Sequence, residues 1–232
     1  MKKNNKKFFL VVFLFLALIV FFIFGGLTKT FFQQDEWATF GNMIYASQMG
    51  DNWLEILLPM AGFSHFAPFS RIVPKLMFSS FGINFLPYAL LPPIFQVINS
   101  FLVFYLAWLL TNKKDLAFLA GLFFALNSFS RQTIIWIAAS TGAQGSALFL
   151  LLSLIFLAKK KPGWSTLAFL FSLFFKETSI FLFRSIFNLI IIFFSKKDLF
   201  NKKDWQRGIR FFNPLWLMAF FYFGLRLLLF FN

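Results

Sequence analysis

The chain has no cysteine and a single histidine, His65. The first absence excludes disulfides and thiolate metal sites, and the second excludes any centre that needs several imidazoles. Acidic residues are scarce as well, eight against 22 lysines and arginines. Charged residues of both signs make up 13% of the chain, about half the share an ordinary soluble domain carries. What is present instead is apolar. Hydrophobic residues account for 59% and mean hydropathy is +0.76, in runs that reach the roughly 20 residues needed to cross a bilayer. These features describe a polytopic membrane protein rather than a soluble one. A net charge of +14 would also suit nucleic acid, but the lysines fall in short clusters between apolar spans and form no single basic face, so no nucleic-acid partner is expected. The 42 phenylalanines, alongside abundant Lys, Asn and Ile, read as the footprint of an AT-rich genome, and no chemistry is assigned to them.

The first span is expected from about Phe8 to Leu27, behind the basic segment Met1–Lys7. Such a segment also suits the n-region of a signal peptide, but the apolar run is longer than a usual signal core and Gly25-Gly26-Leu27-Thr28 is a poor cleavage site. Further spans are expected near 85–111, 115–130, 134–158, 164–178, 179–195 and 211–231, with Pro92-Pro93 kinking the second. The fold class is therefore all-α: one polytopic transmembrane helical bundle of about seven spans, occupying 1–232 as a single membrane domain. With the N-terminus cytoplasmic, fifteen of the 22 cations fall inside, as the positive-inside rule requires. Asp35, Glu36, Asp51, Glu55 and Glu177 fall outside.

Residues 28–84 form the only long connection, an outer loop expected to carry two interfacial helices, since long loops are usually functional. One runs from Asp35 to Met49 with Trp37, Phe40 and Ile44 on one face. The other runs from Ser70, as N-cap, to Phe81, with Gly82 ending it.

This topology brings distant polar residues to one depth on the outer face: Asp35 and Glu36, His65 and Arg71, Arg131 and Gln132, and Lys176-Glu177. Arg184 lies about six residues into span six, roughly 9 Å deep at the helical rise, and Arg226 has a similar depth in span seven. Intramembrane arginines are costly unless paired or hydrated, and an anionic lipid head group would satisfy them. Bland readings stand beside these. Asp35 and Glu36 suit the dipole at a helix start as well as they suit a catalytic base; His65 suits a structural role; Arg184 suits snorkelling or pairing with Glu177. Ala138, Gly142 and Ser146, every four residues, suit a close helix-packing seam.

Taken together, the acidic pair Asp35-Glu36 after the first span, His65-Phe66-Ala67-Pro68-Phe69-Ser70-Arg71, Phe81-Gly82-Ile83-Asn84-Phe85-Leu86-Pro87-Tyr88, Trp136-Ile137-Ala138-Ala139 and Phe175-Lys176-Glu177-Thr178 resemble motifs of the GT-C superfamily. These are integral-membrane glycosyltransferases that use polyprenyl-phosphate sugars and include the protein O-mannosyltransferases and the tetratricopeptide-bearing mannosyltransferase group. The resemblance covers most of residues 28–180. Family members carry further helices or a soluble domain, so the resemblance implies that the chain corresponds to their N-terminal seven-helix module, alone or as a truncated product.

The resemblance implies an inverting transfer at the outer face of the plasma membrane, from a polyprenyl-phosphate sugar donor to a hydroxyl of a protein or glycan acceptor. Asp35 is the expected base and Glu36 its support. Arg71, Lys176, Arg184, Arg226 and Arg131 are the expected partners of the donor phosphate, with His65 and Glu177 at the substrate. No cofactor is required; a divalent metal, if one binds, would use Asp35 with Asp51 or Glu55. The alternative is a noncatalytic or truncated protein that binds or transports a lipid-linked sugar.

Overall fold

The computed structural model describes residues 3–48, 50, 66–127 and 129–181 and, near the C-terminus, 217, 219–224 and 227. Every regular element among them is helical: α1 (Lys3–Phe24), a 3-10 turn (Gly25–Lys29), α2 (Gln34–Gln48), α3 (Pro68–Phe81), α4 (Phe85–Thr111), α5 (Lys114–Leu126), α6 (Phe129–Ile135), α7 (Ile137–Ala158) and α8 (Pro162–Phe175). Among the described residues, three segments are long and apolar enough to cross a membrane, Lys6–Lys29, Phe85–Thr111 and Ile137–Ala158. α5 and α8, with 13 and 14 residues, rise only about 20 Å, less than the roughly 30 Å of a hydrocarbon core. The stretch expected as one span over 115–130 is divided, because extended backbone at Asn127 (φ −61°, ψ 119°) ends α5 before the short α6 begins. Spans six and seven fall mostly on residues outside those described.

α1 buries one stripe, Val12, Leu16, Val20 and Phe24, whose four-residue spacing follows the helical repeat. Its opposite side leaves Leu10, Val11, Leu14, Leu18 and Phe22 exposed, an apolar surface suited to lipid. The stripe packs antiparallel to α4, where Phe9 meets Phe104 and Trp108 edge-on at 5.5 and 5.0 Å between ring centroids. α4 runs unbroken through Pro92 and Pro93. Neither proline has an N–H, so the carbonyls of Tyr88 and Ala89 lose their intrahelical donors there.

A polar network crosses the middle of the bundle. Gln144 of α7 donates to Gln96 Oε1 of α4 at 3.2 Å and to Thr133 Oγ1 of α6 at 3.3 Å; Asn99 Nδ2 donates to Gln144 Oε1 at 2.9 Å, and Gln96 Nε2 to the Phe124 carbonyl of α5 at 2.9 Å. α7 and α8 form an antiparallel hairpin joined by paired serines. Ser153 and Ser165 each donate to the other's carbonyl at 2.9 Å, and Ser172 donates to the Ser146 carbonyl at 2.8 Å. Small side chains let the two backbones approach this closely.

The two helices expected within 28–84 form, with one difference at the second. Pro68 occupies the first turn of α3 and Ala67 precedes it without a side-chain cap, while Gly82 ends the helix at φ 55°. Ser70 thus lies inside α3, its hydroxyl directed to another helix. A tight contact also forms between α7 and α8: a Cβ on Gly145 would lie 2.4 Å from the Phe175 ring. Gly145→Ala should therefore destabilise the chain by about 1–3 kcal/mol through overpacking, with Phe175→Leu in the same chain restoring part of the loss, as read from thermal unfolding in detergent.

Candidate functional site

Extended backbone at Trp136 (φ −87°, ψ 94°) starts α7 at Ile137, which leaves the first N–H groups of that helix without intrahelical acceptors. Glu36 answers one of them. Its Oε1 accepts from the Ala138 N–H at 2.6 Å, and its Oε2 accepts from the Gln33 N–H at 2.7 Å. The second bond is the reach-back half of a capping box, in which a Glu satisfies the backbone three residues before it. A carboxylate at a helix N-terminus also meets the positive end of the dipole. Glu36 is accordingly buried, 4% exposed, in the first turn of α2.

Two further elements close on the same point. The Ser70 hydroxyl of α3 donates to the Phe175 carbonyl at the end of α8, 2.5 Å away. This seat depends on Gly142 of α7, since a Cβ there would fall 2.8 Å from Ser70 Oγ. After Phe175 the backbone of Lys176 is extended (φ −164°, ψ 128°). Its carbonyl accepts from Ser146 Oγ at 3.3 Å and Ser179 Oγ at 3.1 Å. These bonds hold the Lys176-Glu177 turn against α7. Across the site, the Tyr88 hydroxyl donates to the Gly82 carbonyl at 2.9 Å, tying the start of α4 to the end of α3.

Between these helix ends lies a cavity of about 360 Å³. Its charged lining comes from α2 (Glu36), α3 (Arg71 and Lys75) and the turn after α8 (Lys176 and Glu177), and most of the remaining wall is apolar, including Phe40, Met43, Met77, Leu91 and Ile137. Three cations thus face two carboxylates. Arg71 is partly buried, and this desolvation lowers its pKa from the ordinary arginine value; a guanidinium remains protonated in proteins regardless. A cation stripped of water gains more from an anion than a hydrated one does. The volume falls in the range of small-molecule sites, and apolar walls with a few placed charges suit an amphiphilic anion.

Of the residues expected from sequence, Glu36, Arg71, Lys176 and Glu177 come together in this cavity. Asp35, given the leading role by sequence, has an exposed side chain and is not in the cavity wall; its backbone carbonyl accepts from Thr39 Oγ1 at 2.8 Å. Arg131 is exposed and lines a separate groove with Gln33, Gln132, Ile135 and Trp136. His65, Arg184, Arg226, Asp51 and Glu55 lie outside the described residues. Lys75, Thr39 and Asn42 line the cavity without having been singled out. Helical spacing carried a signal for two of them: Lys75 is one turn beyond Arg71, and Thr39 one turn beyond Glu36. The Ala138, Gly142, Ser146 stripe acts as a packing seam, and its first two members also line the cavity.

Glu36→Gln leaves one oxygen to serve two N–H donors, so it should cost about 1–3 kcal/mol and speed amide exchange at Gln33 and Ala138, while Asp35→Asn leaves both amides unchanged. Hydrogen–deuterium exchange read by mass spectrometry checks this. Compared with protein-family models, with curated proteins and with solved structures, the chain matches none.

Proposed function

We propose that the chain is a multi-pass membrane glycosyltransferase that moves a sugar from a polyprenyl-phosphate donor to an acceptor hydroxyl, as the GT-C resemblance implies. In this reading it has seven spans, its N-terminus is cytoplasmic, and the cavity opens on the outer face of the plasma membrane. The observation that carries the reading is the meeting of Glu36, Arg71, Lys75, Lys176 and Glu177, distant in sequence, in one largely apolar cavity. Apolar walls suit the prenyl chain. The cations suit the phosphate, and Arg71 adds the planar fork that binds phosphate oxygens in pairs.

The transfer is an inverting displacement. A carboxylate takes the proton of the acceptor hydroxyl, the hydroxyl oxygen attacks the anomeric carbon, and the bond from that carbon to the phosphate oxygen breaks, so that polyprenyl phosphate leaves with the bonding pair. The cations stabilise charge growing on that phosphate. Because Glu36 lines the cavity and Asp35 does not, the base role is assigned here to Glu36. Each of its oxygens accepts one backbone hydrogen bond, and a carboxylate oxygen has a further acceptor site. One observation favours a second reading, a noncatalytic protein that binds or transports a lipid-linked sugar: both oxygens of Glu36 already have a structural use.

Purified chain supplied with a radiolabelled polyprenyl-phosphate sugar separates the readings. Turnover supports the transferase, and binding without turnover supports the second reading. Glu36→Gln should lower turnover by about 10²-fold or more at unchanged donor binding, and Asp35→Asn should leave turnover near that of the parent chain. Loss of turnover in Asp35→Asn alone would return the base role to Asp35. Arg71→Ala should weaken donor binding by about 10–100-fold, the worth of a hydrogen bond to a charged group.

A further inference from the structure

The end of the bundle opposite the cavity is built of lysines on aromatic rings. Seven exposed lysines meet there: Lys6 and Lys7 in the first turns of α1, Lys113 and Lys114 at the α4–α5 turn, and Lys159, Lys160 and Lys161 at the α7–α8 turn. Lys114 Nζ lies 4.8 Å from the centre of the Phe8 ring, and Lys159 Nζ lies 4.8 Å from the centre of the Tyr105 ring. The rings themselves touch, Phe8 to Phe9 at 6.2 Å and Phe9 to Tyr105 at 5.9 Å, so the three basic segments, which as separate clusters in sequence were expected to form no single basic face, belong to one continuous surface once the helices pack. Asp115 is the one acidic residue in these segments.

The backbone at Lys160 is the more informative feature. Its N–H donates to the Leu157 carbonyl at 2.8 Å and the Lys161 N–H donates to the Phe156 carbonyl at 2.9 Å, the paired bonds of a Schellman motif. Lys160 sits at the left-handed position of that motif, φ 59°, where glycine is the usual residue because any Cβ is strained there. The corresponding turn after α4 uses Asn112, φ 55°, a residue type that tolerates this conformation. A lysine is thus held where the fold alone favours glycine, and what it adds is charge.

We infer that this lysine surface binds the anionic head groups of membrane phospholipids. Its border decides for lipid over a water-soluble polyanion: exposed Leu10, Val11, Leu116 and Trp164 follow the lysines within about one helical turn in α1, α5 and α8. Apolar side chains, then aromatic rings, then ammonium groups reproduce the order of acyl chain, interface and phosphate across a leaflet. The surface is distinct from the cavity and does not depend on what the cavity binds.

The full chain in nanodiscs of phosphatidylcholine with and without phosphatidylglycerol, followed by native mass spectrometry, tests the assignment. The parent chain should retain phosphatidylglycerol in preference to phosphatidylcholine, and each lysine removed near the surface should reduce that preference by about fivefold at low salt, less at physiological salt. Lys160→Gly keeps the fold honest as a control, since it should hold or raise the thermal midpoint while still lowering the preference. Equal retention of the two lipids by the parent chain, or a preference that survives Lys113, Lys114, Lys159, Lys160 and Lys161 all changed to Gln, would overturn it. Displacement of the phosphatidylglycerol by a short duplex DNA at equal charge would overturn it too, in favour of a soluble polyanion.

Discussion

Glu36 is held by backbone donors from two segments about a hundred positions apart, Gln33 just before α2 and Ala138 at the start of α7. This double acceptance fixes α2 as a helix lying over the end of the bundle. An N-terminus buried against other helices must find acceptors for its free N–H groups, and a carboxylate is the strongest acceptor a side chain offers. Because α7 also packs against α3, α4, α6 and α8, a helix attached to its first turn is placed relative to all of them. The position of the cavity follows from that attachment.

Around this point the chain achieves close approach by omission. Gly142 lets Ser70 reach the Phe175 carbonyl, and Gly145 admits the Phe175 ring. The serine pairs do the same work farther along α7 and α8, each bonding to the opposite backbone. Lipid gives no hydrophobic drive for helices to associate, so close van der Waals contact and hydrogen bonds across the seam have to supply it. The Gln96, Asn99, Gln144 and Thr133 network fits the same logic, since polar side chains among apolar helices bond to one another rather than to solvent.

Much of this was legible in sequence, and the limits have physical causes. Spans with long apolar runs, α1, α4 and α7, were evident because hydropathy over about 20 residues is a strong signal. The end of α5 was not, because Asn127 and Ser128 interrupt an apolar run without a glycine or proline to mark the break. The helices α2 and α3 were visible from their periodicity, yet Ser70 was misread as a cap: a serine before an apolar run signals an N-terminus equally well whether its hydroxyl turns to its own helix or to another. The meeting of Arg71 with Lys176 and Glu177 followed from topology alone. Which of two adjacent carboxylates turns inward did not, since consecutive residues on a helix point about 100° apart and only the position of α7 selects one.

The two ends of the bundle solve opposite problems with the same element. At the lysine end, α4 to α5 and α7 to α8 are joined by turns of a few residues that satisfy their carbonyls locally, at Asn112 and through the paired bonds of Lys160 and Lys161. At the cavity end the helices are instead interrupted by extended residues at Asn127, Trp136 and Lys176. Extended backbone cannot satisfy its neighbours through a helical ladder, so side chains from other segments are drawn in to do it: Glu36 to Ala138, Ser146 to Lys176 and Ser70 to Phe175. The cavity is thus a direct product of where helices stop, and the polar residues recruited to finish those ends are the ones that give it a chemistry.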